Sequence, residues 1–376
     1  METLLTHGPT VLLFILVLAV LVLVHELGHF LAARYFGIDV EEFGIGFPPR
    51  AWSVKKGKTL WSINWIPLGG FVKIKGEDDP SATGPGNFAH KPAHVRAAVI
   101  CAGVFMNLVL SSVLFAGGFM AGLPQIVEGL PASARVRDPR VQVIEVLPDS
   151  PADEAGIHPG DVIMKVEGQA LAKIDDIQAQ VNASEGAIGV EIRRGKETFS
   201  VELVPKVDEK SGKKIMGVAL VESAIVSYPW YQAIPKGIYA TGFYVKEIVL
   251  SLVDVIKGLF VGQKPGVEFS GPVGIAVLTG QAAKLGFTYL MQFAALLSVN
   301  LAVINILPIP ALDGGRLLFI IIEKFRGRSV RPVVEAVIHR IAFFLLLGLV
   351  VIVTAKDLAR YREQIFEALK GLFGVV

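Results

Sequence analysis

Apolar residues in this chain are concentrated in long runs that are separated by ordinary charged sequence. A bilayer core of about 30 Å requires roughly 20 apolar residues in a helix. Four runs satisfy this requirement, at 10–33, 95–123, 287–307 and 333–354, and a shorter apolar return follows at Leu317–Ile322. A signal peptide is the alternative for the first run, which we reject because no basic residue precedes it. The pattern predicts a polytopic α-helical membrane protein with about four transmembrane helices.

Composition and charge narrow the class further. Of the 376 residues, 52% are hydrophobic, the mean hydropathy is +0.56 and the net charge is only +2. So small a charge indicates neither a nucleic-acid partner nor a strongly acidic one. The single cysteine, Cys101, lies in an apolar run and cannot form an internal disulfide, so we interpret it as a small buried hydrophobe.

Basic residues between the runs indicate the orientation. Lys and Arg are frequent between the first and second runs and between the third and fourth, whereas none precedes the first run. The positive-inside rule therefore predicts that the N-terminus is outside, that both basic loops are cytoplasmic, and that the segment between the second and third runs is outside. The basic residues of the C-terminal tail argue mildly for the opposite orientation.

Shorter patterns between the runs predict β structure and one surface helix. Alternation from Leu68 to Lys75 predicts a strand in a small sheet at the membrane, and Val- and Ile-rich strands with Gly-Asp turns predict a soluble α+β domain. Helical spacing with interspersed charges over 232–262 favours an amphipathic surface helix over a further span. In chain order, the predicted segments are a first transmembrane helix (1–36), a cytoplasmic-side membrane-associated β region with a loop (37–94), a second helix (95–123), the soluble domain (125–222), the surface helix (230–263), a third membrane segment (286–325), a fourth helix (333–355) and a tail (356–376).

The first run contains His25-Glu26-Leu27-Gly28-His29, an H-E-x-x-H motif on a predicted helix. Because residues four apart share one helix face, both imidazoles can bind one zinc ion, and Glu26 can act as general base on water. Ionisable groups cost about 3 kcal/mol each at the bilayer centre, so three of them in one span require a reason such as metal ligation. The alternative is a polar patch for helix–helix contact.

A catalytic zinc site uses three protein ligands and leaves one position open. Asp313 is the candidate third ligand, because it lies in a segment, 305–315, whose two prolines and two glycines must break the helix. Irregular backbone at membrane depth is tolerated where it is buried in protein or lines a cavity. The alternative for Asp313 is a helix-terminal carboxylate at the membrane surface.

These two motifs, in this order, make the chain resemble the site-2 protease family of intramembrane zinc metalloproteases (peptidase family M50), and in particular the bacterial regulator-of-sigma-E type. The resemblance covers nearly the whole chain. It implies that His25, His29 and Asp313 hold one zinc ion per chain and that Glu26 is the catalytic base.

The resemblance also draws attention to polar residues near the ligands. Asn107 partly matches a second-span motif in which Val104 replaces the family's proline, and the resemblance makes it a candidate substrate-binding residue. Asn300 and Asn305 either orient substrate backbone or form interhelical hydrogen bonds. The stretch 270–274, Ser-Gly-Pro-Val-Gly, matches a further short family motif, whose physical role does not follow from the sequence.

The soluble domain resembles a PDZ domain over 146–163. Its Ile215-Met216-Gly217-Val218 resembles the carboxylate-binding loop, displaced to the end of the domain as in the circularly permuted bacterial type. PDZ domains take a peptide as an added strand, so peptide C-termini are expected partners. Related enzymes often carry two PDZ copies, whereas this sequence indicates one.

The expected function is hydrolysis of peptide bonds within or near transmembrane segments of single-span membrane proteins, such as anti-sigma factors or remnant signal peptides, in the bacterial inner membrane. An extended substrate is expected to pair with the strand edge around Gly70 and Val72. One alternative is a catalytically inactive, membrane-bound PDZ adaptor, against which the intact Glu26 argues. The other is a metal transporter, for which internal repeats are common and absent from this sequence.

Overall fold

The computed structural model describes residues 2–77, 84–127, 130–131, 133–171, 173–195, 197–208, 212–262, 270–328 and 330–362. The chain divides into two compact units. Unit 1 comprises Met1–Gly118 and Ile234–Val376, and unit 2 comprises Phe119–Ala233. In chain order, the elements are α1 (Glu2–Tyr35), β1 (Val40–Lys56), β2 (Thr59–Ile74), α2 (Ala93–Ala121), β3 (Leu123–Ile126), β4 (Arg135–Val146), α3 (Pro151–Glu154), β5 (Val162–Val166), β6 (Gln169–Ala170), α4 (Ile174–Ala183), β7 (Ile188–Arg194), β8 (Glu197–Leu203), β9 (Lys206–Val207), β10 (Lys214–Ile215), β11 (Val218–Ser227), α5 (Trp230–Val261), α6 (Pro272–Leu285), α7 (Phe287–Ile306), α8 (Asp313–Arg326) and α9 (Pro332–Arg360).

Four helices of the described chain are long and apolar enough to cross a membrane: Thr10–Tyr35 within α1, Ala93–Ala121, Phe287–Ile306 and Val333–Arg360 within α9. They coincide with the four predicted runs. Within the predicted third membrane segment, 286–325, the backbone leaves the helical conformation after α7 and resumes it in α8. The predicted tail also differs, since its first residues belong to α9, while 363–376 lie outside the described residues.

β1 and β2 form an antiparallel pair that packs beside α1. Phe43 of β1 pairs with both Trp61 and Val72, so β2 borders the first part of β1 on two sides. We call Gly70–Ile74 the edge segment, because it pairs with β1 along one edge and no other described strand pairs with it. A Cβ atom on its first residue would lie 3.1 Å from the side chain of Leu23, so glycine there lets the strand approach α1 closely.

The N-terminus of α6, a helix that the sequence did not predict, is held by Asp357 of α9. The Asp357 carboxylate is 5% exposed and accepts a hydrogen bond from the backbone N–H of Gly274, at 2.7 Å. A Cβ atom at Gly271 would lie 2.8 Å from the same carboxylate oxygen, so glycine permits this contact. A carboxylate offsets the unpaired amides that begin a helix, and Pro272 suits the first helical position. The contact gives a physical reason for the 270–274 motif, and it involves a residue of α9 beyond the predicted end of that helix at 355.

α5 corresponds to the predicted surface helix 230–263, and it packs on α2 through small side chains. The Thr241 hydroxyl lies 3.2 Å from the hydroxyl of Ser111 and 3.1 Å from that of Ser112. A Cβ atom on Gly237 would collide with the Ser112 carbonyl oxygen. Small residues and interhelical hydroxyl contacts are typical of helices that associate within lipid. One face of α5 is therefore fitted to α2, which is a candidate span.

Unit 2 is built on a seven-stranded sheet. Six strands follow the order β3-β11-β4-β5-β7-β8, and β6 pairs with β5. Inward-facing Val and Ile side chains of the strands and of α4 form its core, which includes Val141, Ile163, Ile177, Val190 and Ile192. This is the α+β organisation predicted for the soluble domain, over a somewhat wider range than the predicted 125–222.

Candidate metal centre

α1 brings His25, Glu26 and His29 together within about one helical turn. The two histidines are 5% and 7% exposed, and Glu26 is half-buried. α2 lies directly against the histidines, because Gly103 has no side chain: a Cβ atom there would lie 2.8 Å from His25 Cε1 and would collide with His29 Nε2. A Cβ atom on Gly28 would likewise collide with the backbone of α2. Small residues on both helices therefore bury the H-E-x-x-H motif.

Asp313 reaches the histidines because the chain makes a tight turn between α7 and α8. Two of the six residues in this turn (307–312), Pro308 and Pro310, are prolines, which cannot continue the backbone ladder of α7. A Cβ atom on Gly314 would collide with the Leu307 carbonyl oxygen, so the turn requires glycine directly after Asp313. The helix break predicted from these residues is present, and it makes Asp313 the first residue of α8.

The three candidate ligand atoms converge. His25 Nε2 lies 3.0 Å from Asp313 Oδ2, His29 Nε2 lies 3.3 Å from the same oxygen, and the two Nε2 atoms are 3.1 Å apart. Ligand atoms at about 2.0–2.1 Å from one tetrahedral zinc ion are roughly 3.3 Å from one another. Two imidazole nitrogens and one carboxylate oxygen therefore fit zinc both in chemistry and in spacing. The residues that the sequence indicated as a ligand set are thus assembled in one place.

Each imidazole also has a partner on α2 for its second nitrogen. His29 Nδ1 lies 2.9 Å from the Val99 carbonyl oxygen, which can only accept, so Nδ1 carries the hydrogen and Nε2 presents its lone pair. His25 Nδ1 lies 3.3 Å from the amide nitrogen of Asn107, whose Oδ1 has no partner in the described part of the chain. Rotating this amide by half a turn places Oδ1 at His25 Nδ1, where it can accept a hydrogen from that nitrogen, so that His25 Nε2 also presents its lone pair.

Asn107 is fully buried, with 0% exposure, and it contacts His25 on the side away from Asp313. This position favours a role in orienting a ligand rather than in contacting substrate. Asn305, at the end of α7, lies closer to the site, with its amide nitrogen 3.4 Å from His25 Nε2. Asn300 is five residues earlier on the same helix and so about 140° around it, on a different face.

Glu26 contacts the edge segment rather than the histidines. Its Oε2 accepts a hydrogen bond of 3.0 Å from the backbone N–H of Val72. The Val72 N–H therefore points away from β1, out of the unpaired edge and toward the candidate metal centre. Gly70, two residues earlier, lies on the same edge segment.

In unit 2, the residues predicted to bind a peptide carboxylate adjoin a cavity of about 300 Å³. Its lining includes 215–218 together with Leu147, Ile177 and Val181. Within the predicted loop, Ile215 ends β10, Val218 begins β11, and Met216 is buried in the domain core. Gly217 has a φ of +84°, and a Cβ atom there would collide with Ser150.

Sequence reasoning missed the parts that Val99 and Gly103 of α2 play in supporting the centre. Val99 acts through a backbone carbonyl, which carries no signal in the side-chain sequence. Gly103 was a weak signal, since a glycine in an apolar span often marks a close helix contact.

Comparison with known proteins gives one family match that spans most of the chain. The model of peptidase family M50 matches residues 13–349. A protein of Clostridium perfringens, named as a predicted zinc metalloprotease, is 36% identical over 347 residues, covering 92% of this chain and 97% of the relative. The zinc metalloprotease RasP of Geobacillus kaustophilus is 30% identical over 434 residues, covering 94% of this chain and 98% of RasP. Among solved structures, the PDZ domain of an SdrC-like protein from Listeria monocytogenes aligns with 21% of this chain and 85% of its own length, at 21% identity and a TM-score of 0.20.

Proposed function

The chain belongs to peptidase family M50 and is a zinc metalloprotease, and from this premise we propose that it hydrolyses peptide bonds within or near the transmembrane segments of other membrane proteins. The observation that carries the proposal is the position of the candidate centre. His25, Glu26 and His29 lie on a helix that is long and apolar enough to cross a membrane, with Asp313 beside them. Ionisable groups are costly at that depth, and catalysis on a membrane-embedded substrate gives a reason to keep them there.

In this proposal His25, His29 and Asp313 hold one zinc ion. Zinc bound there supplies Lewis acidity, which polarises a peptide carbonyl and makes water an effective nucleophile at neutral pH. The Glu26 carboxylate takes the proton from the attacking water and passes it to the nitrogen of the leaving amine. The partners of the two histidines on α2 keep the imidazoles oriented while this happens.

The edge segment is the proposed docking site for substrate. A helical substrate hides its carbonyls in hydrogen bonds, so it must be extended before it is cut, and an unpaired strand edge can bind an extended chain. Because the Val72 N–H donates to Glu26, a substrate carbonyl that takes this N–H would at the same time release the carboxylate for proton transfer. Pairing would then both orient the substrate and free the base. Asn305, whose amide nitrogen lies 3.4 Å from His25 Nε2, is proposed to contact such a substrate.

Val72→Pro tests this docking mode. The N–H that it removes faces away from β1, so the pairing of β2 with β1 is retained. We expect cleavage to be lost while zinc content is unchanged, and we expect Val72→Ala, which keeps the N–H, to cleave normally. Normal cleavage by the proline variant would refute the edge segment as docking site.

Unit 2 is proposed to be a PDZ domain that binds peptide C-termini in the cavity beside 215–218. The sheet, the two helices and the cavity support this assignment. The distribution of basic residues supports a location in the bacterial cytoplasmic membrane with the N-terminus and unit 2 outside. Single-span membrane proteins, including anti-sigma factors and remnant signal peptides, are the proposed substrates.

Mapping the cut tests the proposed reaction. The full-length protein in membranes would be given a single-span model substrate tagged at both ends, and the new termini would be identified by mass spectrometry. We expect the cut within or a few residues from the transmembrane segment. Cuts only in the soluble part of the substrate would show a metalloprotease of ordinary soluble segments.

A further inference from the structure

α9 is a candidate span that contacts the rest of unit 1 with very little buried surface. None of its described residues from Val333 to Lys356 is buried. Hydrogen bonds from two described backbone N–H groups outside the helix connect to its side chains: one from Gly274 to Asp357, and one from Ala311 to His339. These two points are 18 residues apart, about 27 Å along the helix.

The His339 contact is made to the turn that carries Asp313. His339 Nδ1 accepts a hydrogen bond of 2.8 Å from the Ala311 N–H, so the hydrogen of the neutral imidazole is on Nε2, which lies 4.0 Å from Glu335 Oε1. The imidazole also packs against Phe319 of α8, with ring centroids 5.4 Å apart. His339 therefore contacts both sides of Asp313 in sequence, two residues before it and six residues after it.

The backbone of this turn depends on the contact. Of its residues 307–312, two are prolines without an N–H. The Ile309 N–H bonds to Leu307 and the Leu312 N–H bonds to Ile309, both locally, and the Ala311 N–H bonds to His339. Ala311 has a φ of +78°, a left-handed conformation that is costly for a residue with a side chain and persists where the surroundings hold it. The Ala311 N–H finds its acceptor in the His339 imidazole, and this hydrogen bond stabilises the conformation.

We propose that His339 is a positioning residue for the metal centre: by accepting the Ala311 N–H it holds the turn that sets the place of Asp313. The inference rests on the proposed role of Asp313 as a zinc ligand. His339 itself does not belong to the converging group of ligand atoms and acts through the turn.

Replacement of His339 by two different residues tests the proposal in the full-length protein. His339→Leu removes the acceptor and keeps the bulk against Phe319, whereas His339→Asn keeps an acceptor oxygen near the position of Nδ1. Asp357→Asn is the matched control, because it weakens the hydrogen bond between α9 and Gly274, about 27 Å along the helix from His339. The readouts are zinc affinity by chelator competition and, in the metal-free protein, hydrogen exchange of the peptide that covers 307–315.

We expect His339→Leu to lower zinc affinity about 10- to 100-fold, the range found when partners of ligands are removed, and to speed exchange in 307–315. We expect His339→Asn to keep most of the parental zinc affinity and most of the parental protection from exchange. We expect Asp357→Asn to change neither zinc affinity nor exchange in 307–315. Unchanged affinity and exchange in His339→Leu would overturn the proposal. So would an equal loss in Asp357→Asn, which would indicate general loosening of α9. Failure of the proposed zinc ligation can be told apart from failure of the role of His339, because in the first case the parent protein itself would bind no zinc.

Discussion

Substituting Gly103 by alanine tests how closely α2 is fitted to the two histidines. An added Cβ atom would lie 2.8 Å from His25 Cε1 and would collide with His29 Nε2. Carbon atoms in van der Waals contact are about 3.5–4.0 Å apart, so at least one imidazole must move by roughly 1 Å. Both Val99 and Asn107, which orient these rings, lie on the same helix as the new methyl group, so the rings cannot move and keep both contacts.

The expected magnitude follows from that displacement. Disturbing the groups that orient metal ligands typically lowers metal affinity 10- to 100-fold, which is about 1.4–2.8 kcal/mol of binding free energy. A displacement of about 1 Å can also cost roughly 100-fold in rate. We therefore expect Gly103→Ala to bind zinc 10- to 100-fold more weakly than the parent protein and to cleave a model substrate poorly even at saturating zinc.

Gly117→Ala is the matched control. It makes the same change on the same helix, so any gain in helix propensity is common to both variants. Among the described residues, its Cβ atom would meet only the terminal methyl group of Met291, at 2.9 Å, and a flexible methionine side chain can turn away. Zinc affinity would be measured for both by competition with a chelator in detergent. Parental affinity and cleavage in Gly103→Ala would refute the fit of α2 to the histidines.

Two further predictions concern unit 2. Gly217→Ala should weaken binding of C-terminal peptides at least 10-fold without changing zinc affinity, because the new Cβ atom meets Ser150 at a left-handed position. The control is Gly156→Ala, since Gly156 is also left-handed but no described atom lies within 4 Å of its added Cβ. Equal losses of peptide binding in the two variants, measured by fluorescence, would contradict the argument. Burial alone would raise the pKa of Asp161, but hydrogen bonds from Arg194 and from the backbone outweigh it and hold that pKa below its usual value. The stabilisation that the ionised Asp161 gives is then complete above about pH 4 and is lost as the pH falls through the lowered pKa. Asp161→Asn should therefore lower the free energy of unfolding of unit 2 by about 2 kcal/mol at pH 7 and by less at pH 3, as measured by pulse proteolysis in urea. The same loss of stability at both pH values would contradict the assignment.

The parts of the fold that the sequence predicted are those set by local pattern. Apolar runs predicted the four candidate spans, because a helix in lipid must be apolar over its whole length. The spacing of His25 and His29 placed both on one helix face, and the prolines and glycines around Asp313 predicted the break that brings it near them. The resemblance to family M50 that these motifs suggested is confirmed by the match over residues 13–349.

What the sequence left open depends on contacts between distant residues. Asp357 holds Gly274 from 83 positions away, so the 270–274 motif had no explanation until α6 and α9 were seen together. Asn107 was expected near substrate, and only the packing of α2 on α1 shows that it is buried beside His25. The link from Val72 to Glu26 joins a strand to a helix 46 residues earlier, which no local pattern encodes.

Cleavage by Glu26→Gln, compared with that by the parent protein, tests the central claim most directly. Both would be supplied in membranes with a tagged single-span substrate, and zinc content would be measured on the same preparations. We predict that the variant keeps zinc and loses cleavage, because glutamine cannot take the proton from water. Equal turnover by the two proteins would contradict the account, since Glu26 would then not be the base.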